Sequence, residues 1–414
     1  MSGRETGDEH ERITGLIDRL PTALAPPHTL RRQVAGYVCS AARLPFRAAV
    51  TSIPRRGGGR AQPHAPSTGE APGTAEVRAT PTSTPTISVI MPVYNAMRGD
   101  RTYLPEALES LAAQTCPPQE LIIVDDGSSD DSAEVIQRFA AGHPELTTVL
   151  LRQDNAGQSS ARNLGALKAG GDWLGFLDQD DLWTPRHIET VAPFLRDDVD
   201  FVYTDADTIN EAGETDWSRI HASHHLGGVH PKRTPEDAIY DNVFVMPGVS
   251  TIRRSLFVWL GGFDERLSGF EDDDLFVRLL PKARIAYVPE ATLRWRWRHG
   301  ANYSRSMRHV SSRMRYWQTL MRDYAAAGRD RGRSRALTLR FFRDCLDHCS
   351  SLPDGGDPVT LANLAAAETM LPFVGPVDRA AFALARWAFV RRGPLARATR
   401  WWFLNGLERP TGPR

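Results

Sequence analysis

Two aspartates, Asp178 and Asp180, stand two positions apart after an apolar run in the sequence FLDQDDLW. Side-chain alternation in an extended segment would send both carboxylates to the same side. A hard divalent cation prefers oxygen ligands and commonly bridges protein carboxylates to substrate phosphates. The pattern therefore predicts a metal site, although an isolated D-x-D is more often a solvated acidic turn that caps the next helix.

A second acidic turn follows another apolar run, in the sequence IIVDDGSSDDS. Asp126 of this turn could accept a hydrogen bond from a nucleobase or a ribose hydroxyl. The same letters also make a good turn and helix N-cap without any ligand. Both interpretations stay open on these residues alone.

These acidic turns belong to an alternation of strand and helix patterns. The runs ISVIMPVYN, LIIVDDG, TTVLLRQD and WLGFLDQDD alternate with YLPEALESLAAQ, SAEVIQRFAAG and SSARNLGALKAG, which have helical spacing. Such lengths are typical of βαβ units, so we predict an α/β fold with a parallel, doubly wound sheet. Sheets of this kind bind ligands at the carboxyl ends of their strands, so the loops after Met91, Val124 and Leu177 should meet at one rim.

Composition divides the chain into four regions. Residues 1–52 carry one or two short amphipathic patterns, and residues 53–85 have the Gly, Pro, Ser and Thr content of a disordered linker. The α/β pattern occupies residues 86–304. Residues 305–414 are rich in Arg and Trp and predict a packed helical region, with peripheral membrane contact from Arg379 onward as the alternative.

The overall composition argues against several classes of protein. Lys+Arg and Asp+Glu are 50 each, so no net charge would draw the chain onto nucleic acid. The four cysteines lack metal-ligand spacing. Neither a secretory signal nor an apolar run of about 18 residues is visible. We therefore expect a cytoplasmic protein, either free or associated with a membrane, and no nucleic-acid partner.

The segments ISVIMPVYN, LIIVDDGSSDDS, NAGQSSARNLGA and LGFLDQDD, in this order and spacing, resemble family 2 glycosyltransferases over about residues 87–304. The resemblance implies the GT-A fold, a Rossmann-like and mostly parallel sheet, here with a C-terminal helical extension. It also implies a nucleotide site formed by several loops: Pro92, Tyr94, Asn95, Asp126, Arg162 and Asp178. On the residues alone, Tyr94 could be a strand-end aromatic and Arg162 could pair with a nearby carboxylate.

The resemblance further assigns the metal and sugar contacts. Asp178 and Asp180 match the metal-binding D-x-D, and Asp181 is placed at a sugar hydroxyl. His299, in RWRWRHGANYS, matches a histidine that joins the aspartates around the metal. The expected cofactor is Mn²⁺ or Mg²⁺. Because imidazole is a better ligand for Mn²⁺ than for Mg²⁺, binding through His299 would favour Mn²⁺. A surface histidine on an Arg-rich loop is the alternative for His299.

The stretch GFEDDDLFVRL resembles the E-D motif of the family, which places Glu271 and Asp272 at a helix start with Asp272 as the catalytic base. Four acids in a first turn also complement the helix macrodipole, so part of this run is electrostatic. Asp273 is the alternative base. The order of letters in the motif favours Asp272.

The resemblance implies an inverting glycosyltransferase that uses a nucleoside diphosphate sugar, by default a UDP-sugar. Its acceptor would be a carbohydrate, lipid-linked or other hydroxyl in polysaccharide, glycolipid or glycoconjugate synthesis. Nucleotidyltransferases share the fold type, but MPVYNAMRGD lacks their Gly-rich basic loop. A catalytically inactive scaffold or glycan-binding module is the non-enzymatic alternative.

Overall fold

The computed structural model describes residues 85–99, 102–223, 230–235, 239, 245–297, 306–325, 330–350 and 358–390. The expected N-terminal extension and all of the expected linker but its last residue lie outside this part of the chain. The backbone forms two units. One holds residues 55–352 and 356–374, and the other includes residues 375–414.

The first half of the larger unit alternates strands and helices as predicted. The strand β1 is buried along its whole length, which suits a strand covered on both faces. The helix α1 buries a single apolar stripe, as a helix packed on one side does. In chain order the elements are β1 Ile87–Val93, α1 Leu104–Ala112, β2 Glu120–Asp125, α2 Ser132–Gly142, β3 Thr148–Arg152, α3 Gln158–Lys168 and β4 Trp173–Phe176.

The second half contains shorter strands and the helix that carries the acidic run. The helix α6 begins at Glu271, directly after Gly269 and Phe270, which both have left-handed backbone conformations. In chain order the elements are β5 Leu182–Trp183, α4 His187–Val191, β6 Phe201–Ile209, β7 Thr215–Trp217, β8 Ser250–Arg253, α5 Arg254–Trp259, α6 Glu271–Leu279 and β9 Ile285–Arg296.

The described strands form one nine-stranded sheet in the order β3-β2-β1-β4-β8-β6-β9-β5, with β7 paired to β6. The strands β1 to β4 are parallel to one another, as predicted. The strand β8 runs antiparallel to β4 and β6, so the sheet is mixed and mostly parallel. The order reverses between β1 and β4, which creates a crevice at the carboxyl ends of these two strands.

Close packing of α3 on β1 fixes the position of this helix. A Cβ atom at Gly165 would lie 2.6 Å from Ile90 Cγ2 and 3.4 Å from Val124 Cγ2. Real side chains do not approach so closely, so glycine is required for this spacing between helix and sheet. The spacing places the first turn of α3 beside the carboxyl ends of the strands.

Three more helices of this unit follow the sheet, namely α7 Met307–Tyr324, α8 Arg331–Ser350 and α9 Pro358–Met370. Their buried core includes Tyr316, Phe341 and Leu364. The second unit contributes α10, Pro376–Val390. Across the described residues, none of the helices has the length and apolarity needed to cross a membrane. Most of the Arg- and Trp-rich tail considered for membrane contact lies beyond these residues.

Candidate active site

The two aspartates of the D-x-D motif lie in a tight turn after β4. The backbone N–H of Asp181 donates a hydrogen bond to the carbonyl oxygen of Asp178 at 3.2 Å, which closes residues 178–181 into a turn. The expectation that strand alternation aligns Asp178 and Asp180 is therefore wrong, because β4 ends at Phe176. The side chain of Asp178 is 34% exposed at the sheet rim.

Arg162, on the first turns of α3, connects this turn to the acidic helix α6. Its Nη2 atom lies 2.5 Å from Asp178 Oδ1, and its Nη1 atom lies 3.4 Å from Glu271 Oε1. The side chain is only 2% exposed. Burial acts to lower the pKa of Arg162, but the charges of Asp178 and Glu271 outweigh it and raise the pKa. The guanidinium is thus a buried, permanently charged bridge.

Glu271 uses both carboxylate oxygens within the protein. Oε1 accepts hydrogen bonds from Gln158 and Arg162, while Oε2 accepts one from the backbone N–H of Gly269 at 2.7 Å. These contacts fix the start of α6 against α3. They leave Glu271 turned away from solvent, with 5% of its side chain exposed.

The other acids of the run differ in their partners. Asp273 Oδ2 lies 2.8 Å from Arg340 of α8, and Asp274 Oδ2 lies 2.7 Å from Arg278 of α6 itself. Asp272 makes no ion pair with any described residue, and its Oδ1 accepts a hydrogen bond from the backbone N–H of Asp273 at 2.9 Å. Burial, followed by the charges of Glu271 and Asp273, raises the pKa of Asp272 well above its ordinary value.

Asp126 is buried and holds the loop that leads into α3. Its Oδ1 accepts hydrogen bonds from the backbone N–H of Ala156 at 2.8 Å and from Gln153 Nε2 at 2.7 Å. Its Oδ2 accepts one from the backbone N–H of Gly157 at 2.8 Å. The nucleotide contact expected of Asp126 stays a prediction, and the observed role of the side chain is to shape this loop.

The loop after β1 is fixed by polar contacts to its neighbours. Asn95 has a left-handed backbone (φ 46°), donates its N–H to Ser128 Oγ at 2.9 Å and accepts from the Ser129 N–H at 2.9 Å. Tyr94 directly follows β1 and is 47% exposed, which fits the strand-end aromatic considered from the sequence. The nucleotide contact expected of Tyr94 stays a prediction. Pro92, two positions earlier and within β1, is buried.

Asp181 lies deeper than the two other aspartates of its turn. Its Oδ1 accepts a hydrogen bond from the backbone N–H of Arg296 at 2.8 Å, at the end of β9. Burial, then the charges of Asp180 and Asp178, raises the pKa of Asp181 well above its ordinary value. A carboxyl group in this setting can donate as well as accept a hydrogen bond. The sugar contact expected of Asp181 stays a prediction.

Only two of the three predicted metal ligands, Asp178 and Asp180, lie among the described residues. His299 lies outside the described residues. Among the described residues, no group of three His, Cys, Asp or Glu side chains could hold a metal ion. Asp178 and Asp180 nevertheless fit a hard divalent cation, because their carboxylate oxygens sit at a rim that a phosphate-bearing ligand can reach.

Several residues of the site were not predicted from the sequence. Gln158 lies in the segment NAGQSSARNLGA and Gln179 in LGFLDQDD, but nothing in the sequence around them indicates a role in the site. Arg340 lies 67 positions from its partner Asp273, so no local signal could identify it. Beside Asp126, a cavity of about 590 Å³ opens at the loops after β2 and β3, lined by Gly127, Arg152, Gln153, Asp154 and Asn155.

Comparison with known proteins agrees with this fold. Residues 88–259 match the model of the family described as glycosyl transferase family 2. The glycosyltransferase YwdF of Bacillus subtilis is 32% identical over 208 residues, which covers 50% of this chain and 72% of YwdF. The glycosyltransferase YibD of Escherichia coli is 42% identical over 140 residues, 33% of this chain and 39% of YibD.

Among solved structures, S. aureus TarS 1-349 in complex with UDP-GlcNAc superposes with a TM-score of 0.50 at 19% sequence identity. The superposition covers 77% of this chain and 89% of the TarS chain. At this identity the likeness concerns the fold, and it confirms the glycosyltransferase architecture expected from the sequence. On the strength of the family model and of the similarity to YwdF, the chain belongs to glycosyl transferase family 2.

Proposed function

We propose that this chain is an inverting, metal-dependent glycosyltransferase that moves a sugar from a nucleoside diphosphate donor to an acceptor hydroxyl. The observation that carries the proposal is the bridge from Asp178 through Arg162 to Glu271. The bridge joins two elements: the turn of residues 178–181, which suits a metal and the donor phosphates, and the helix α6. This helix carries Asp272, whose carboxylate makes no ion pair with a described residue. Both halves of a transfer site are thereby held at one rim.

On the donor side, Asp178 and Asp180 would hold Mn²⁺ or Mg²⁺, with His299 as a third ligand. When bound, such an ion neutralises the charge that develops on the leaving diphosphate. Arg162 supplies a second, permanent positive charge next to Asp178. The cavity beside Asp126 has room for a nucleoside, and Tyr94 presents an exposed ring at the same rim. UDP is the first nucleotide to test, because the TarS complex contains UDP-GlcNAc.

On the acceptor side, Asp272 would take the proton of the attacking hydroxyl. A hydroxyl is a weak nucleophile near neutral pH, and a carboxylate within about 3 Å of it can remove the proton as the bond forms. The raised pKa of Asp272 brings this carboxylate closer to the pH at which a general base is most effective. A single displacement then inverts the anomeric centre.

The acceptor would be a carbohydrate, a lipid-linked saccharide or another hydroxyl of a glycoconjugate. The donor can be identified without knowing the acceptor, because water can attack the donor slowly in place of the acceptor hydroxyl. Release of nucleotide should be measured from UDP-, GDP- and dTDP-sugars with Mn²⁺, Mg²⁺ or EDTA. We expect one donor class to turn over only with metal.

The same assay should compare wild type, Asp272→Asn and Glu134→Gln, the last an exposed acid on α2 that serves as a control. We expect loss in Asp272→Asn and wild-type rates in Glu134→Gln. If no donor turns over and calorimetry detects no metal-dependent nucleotide binding, the transferase proposal fails. A non-catalytic scaffold would then be the better account.

A further inference from the structure

A C-terminal helix, α8, forms an ion pair with the acidic run of α6. Arg340 of α8 places Nη2 2.8 Å from Asp273 Oδ2, and its Nη1 donates to the carbonyl oxygen of Ile239 at 3.0 Å. Arg340 and Asp273 are each only 12% exposed. The guanidinium therefore holds a buried carboxylate that directly follows Asp272 in the chain.

This contact separates two otherwise equivalent acids. Asp272 and Asp273 are neighbours on the first turn of α6, and side chains at successive helix positions point about 100° apart. Arg340 fixes the Asp273 carboxylate toward α8. Burial raises the pKa of Asp273, and the charge of Arg340 opposes that rise. Asp272, which has no such partner among the described residues, keeps its carboxylate available.

A second arginine, which lies on α6 itself, provides a matched comparison. Arg278 holds Asp274 and donates to the carbonyl oxygens of Leu260 and Gly262 at 2.8 Å each. Both arginines thus join a buried acid of α6 to backbone carbonyls. They differ in that the Arg340 pair involves the residue next to Asp272, whereas the Arg278 pair lies one residue further along.

We propose that Arg340 is a positioning residue for the base of the transfer reaction, which holds the Asp273 carboxylate turned away toward α8 so that Asp272 alone serves the acceptor. This inference rests on the proposed function of Asp272. Without Arg340, the partly exposed Asp272 and the buried Asp273 would compete for one proton, because like charges that are close together cannot both ionise easily. The part of α8 that carries Arg340 would then belong functionally to the active site.

Several charged groups surround this pair of carboxylates. Asp272 is influenced by Glu271 and Asp273 on α6, by Arg162 on α3 and by Tyr316 on α7. The groups around Asp273 are Arg340 and Asp344 on α8, Tyr316 on α7 and Lys232. Arg340 is the one that contacts the Asp273 carboxylate at 2.8 Å, so its removal changes the local charge most directly.

The test compares the full-length wild type with Arg340→Met, Arg340→Lys, Asp273→Asn/Arg340→Met and Arg278→Met. Turnover of the donor that the proposed screen selects is followed as kcat and KM from about pH 5 to pH 9. We expect Arg340→Met to lower kcat about tenfold, with donor KM changed less than about twofold, and to move the acid limb to higher pH. The double variant should regain most of kcat, because it removes the unbalanced acid together with the arginine. Arg340→Lys should fall between wild type and Arg340→Met.

The control and a second measurement decide the outcome. If Arg278→Met lowers both Tm and kcat as much as Arg340→Met does, or if the double variant regains nothing, Arg340 is only structural and the inference is overturned. The carboxyl titration of Asp272 should also be followed by NMR of ¹³C-labelled aspartate, assigned with Asp272→Asn. An unchanged Asp272 titration in Arg340→Met likewise overturns it. A wild type without turnover would instead contradict the proposed function, while the NMR titration would still show whether Arg340 controls Asp272.

Discussion

Gln179, the residue between the two aspartates of the D-x-D, exchanges two hydrogen bonds with the backbone of Tyr94. The Tyr94 N–H donates to Gln179 Oε1 at 2.8 Å, and Gln179 Nε2 donates to the Tyr94 carbonyl oxygen at 3.3 Å. The amide thereby connects the loop after β1 to the turn after β4, across the reversal in strand order. These are the two loops proposed to hold the nucleoside and the metal.

Replacing Gln179 with Leu should loosen this connection and weaken donor binding. Each hydrogen bond contributes about 0.5–1.5 kcal/mol, so we expect the Kd for UDP with Mn²⁺ to rise about 3- to 10-fold. Isothermal titration calorimetry measures this directly. Gln119→Leu, which changes an exposed glutamine before β2 at the other end of the sheet, should bind like the wild type. Equal affinity in Gln179→Leu would contradict the proposed connection.

Asp178→Asn should have two effects that can be measured separately. It removes one proposed metal ligand, so nucleotide binding should lose its dependence on Mn²⁺ and resemble that of wild type in EDTA. Among the described residues it also leaves the buried Arg162 with Glu271 as its one ion-pair partner, which should cost about 1–3 kcal/mol in the free energy of unfolding. Calorimetry and urea unfolding test the two effects. Metal-dependent binding of wild-type strength in Asp178→Asn would remove this residue from the metal site.

Asp272→Asn should lower transfer about 10²- to 10⁴-fold, because the variant cannot accept the acceptor proton. The same change should stabilise the fold. The raised pKa means that the folded chain binds the Asp272 proton more tightly than the unfolded chain does. Wild-type stability therefore falls as pH rises from the ordinary carboxyl pKa through the raised one, and the whole cost is present above it.

The free energy of unfolding of Asp272→Asn should accordingly exceed that of wild type at pH 8, and the gain should shrink toward pH 4. Urea unfolding at several pH values measures the difference. Asp126→Asn makes a suitable control, because Asp126 accepts three hydrogen bonds in the fold and its replacement should destabilise the protein. If Asp272→Asn is less stable than the wild type at pH 8, the ionised Asp272 does not lower the stability of the fold, and the prediction is wrong.

His187 should make the fold sensitive to mild acid. The ring stacks on Trp183 at 3.7 Å, and its Nδ1 lies 2.7 Å from Thr292 Oγ1. Burial lowers the pKa of His187 to about 3. The unfolded chain therefore takes up a proton that the folded chain refuses, and stability is lost as pH falls from about 6.5 toward 3. At pH 5 this loss amounts to about 2 kcal/mol relative to pH 7.

His187→Phe should keep the stacking and abolish this part of the acid dependence, and Thr292 would still have Thr204 as a partner at 2.7 Å. The slope of unfolding free energy between pH 7 and pH 5 measures the effect. His143→Gln is the opposite control, because hydrogen bonding to Glu145 raises the pKa of His143. That variant should lose stability at low pH. Equal slopes in wild type and His187→Phe would contradict the prediction.

Much of the fold follows from local sequence patterns. The first four strands and the helices between them were predicted because apolar runs and helical stripes mark them directly. The meeting of their loops at one rim followed from the parallel order. The antiparallel direction of β8 was not predicted, since the sequence of a four-residue strand does not indicate its direction.

The sequence allowed Arg162 to pair with a nearby carboxylate, as it does with Asp178 and Glu271, but it gave no sign of the partners of the other acids. Letter order favoured Asp272 over Asp273, and the difference between them depends on Arg340. The turn at residues 178–181 escaped prediction because its closing hydrogen bond is not a feature of side-chain alternation. The matched family region, residues 88–259, contains the turn with Asp178 and Asp180 but ends before α6, which carries Asp272.

The buried guanidinium of Arg162 also restricts how this sequence can change during evolution. Loss of either acid alone leaves the cation poorly balanced, and loss of the arginine alone leaves Asp178 and Glu271 with an uncompensated charge. Viable descendants must therefore replace these positions in combination. Among diverged homologues the three columns should covary, although Arg162 lies 16 positions from one acid and 109 from the other.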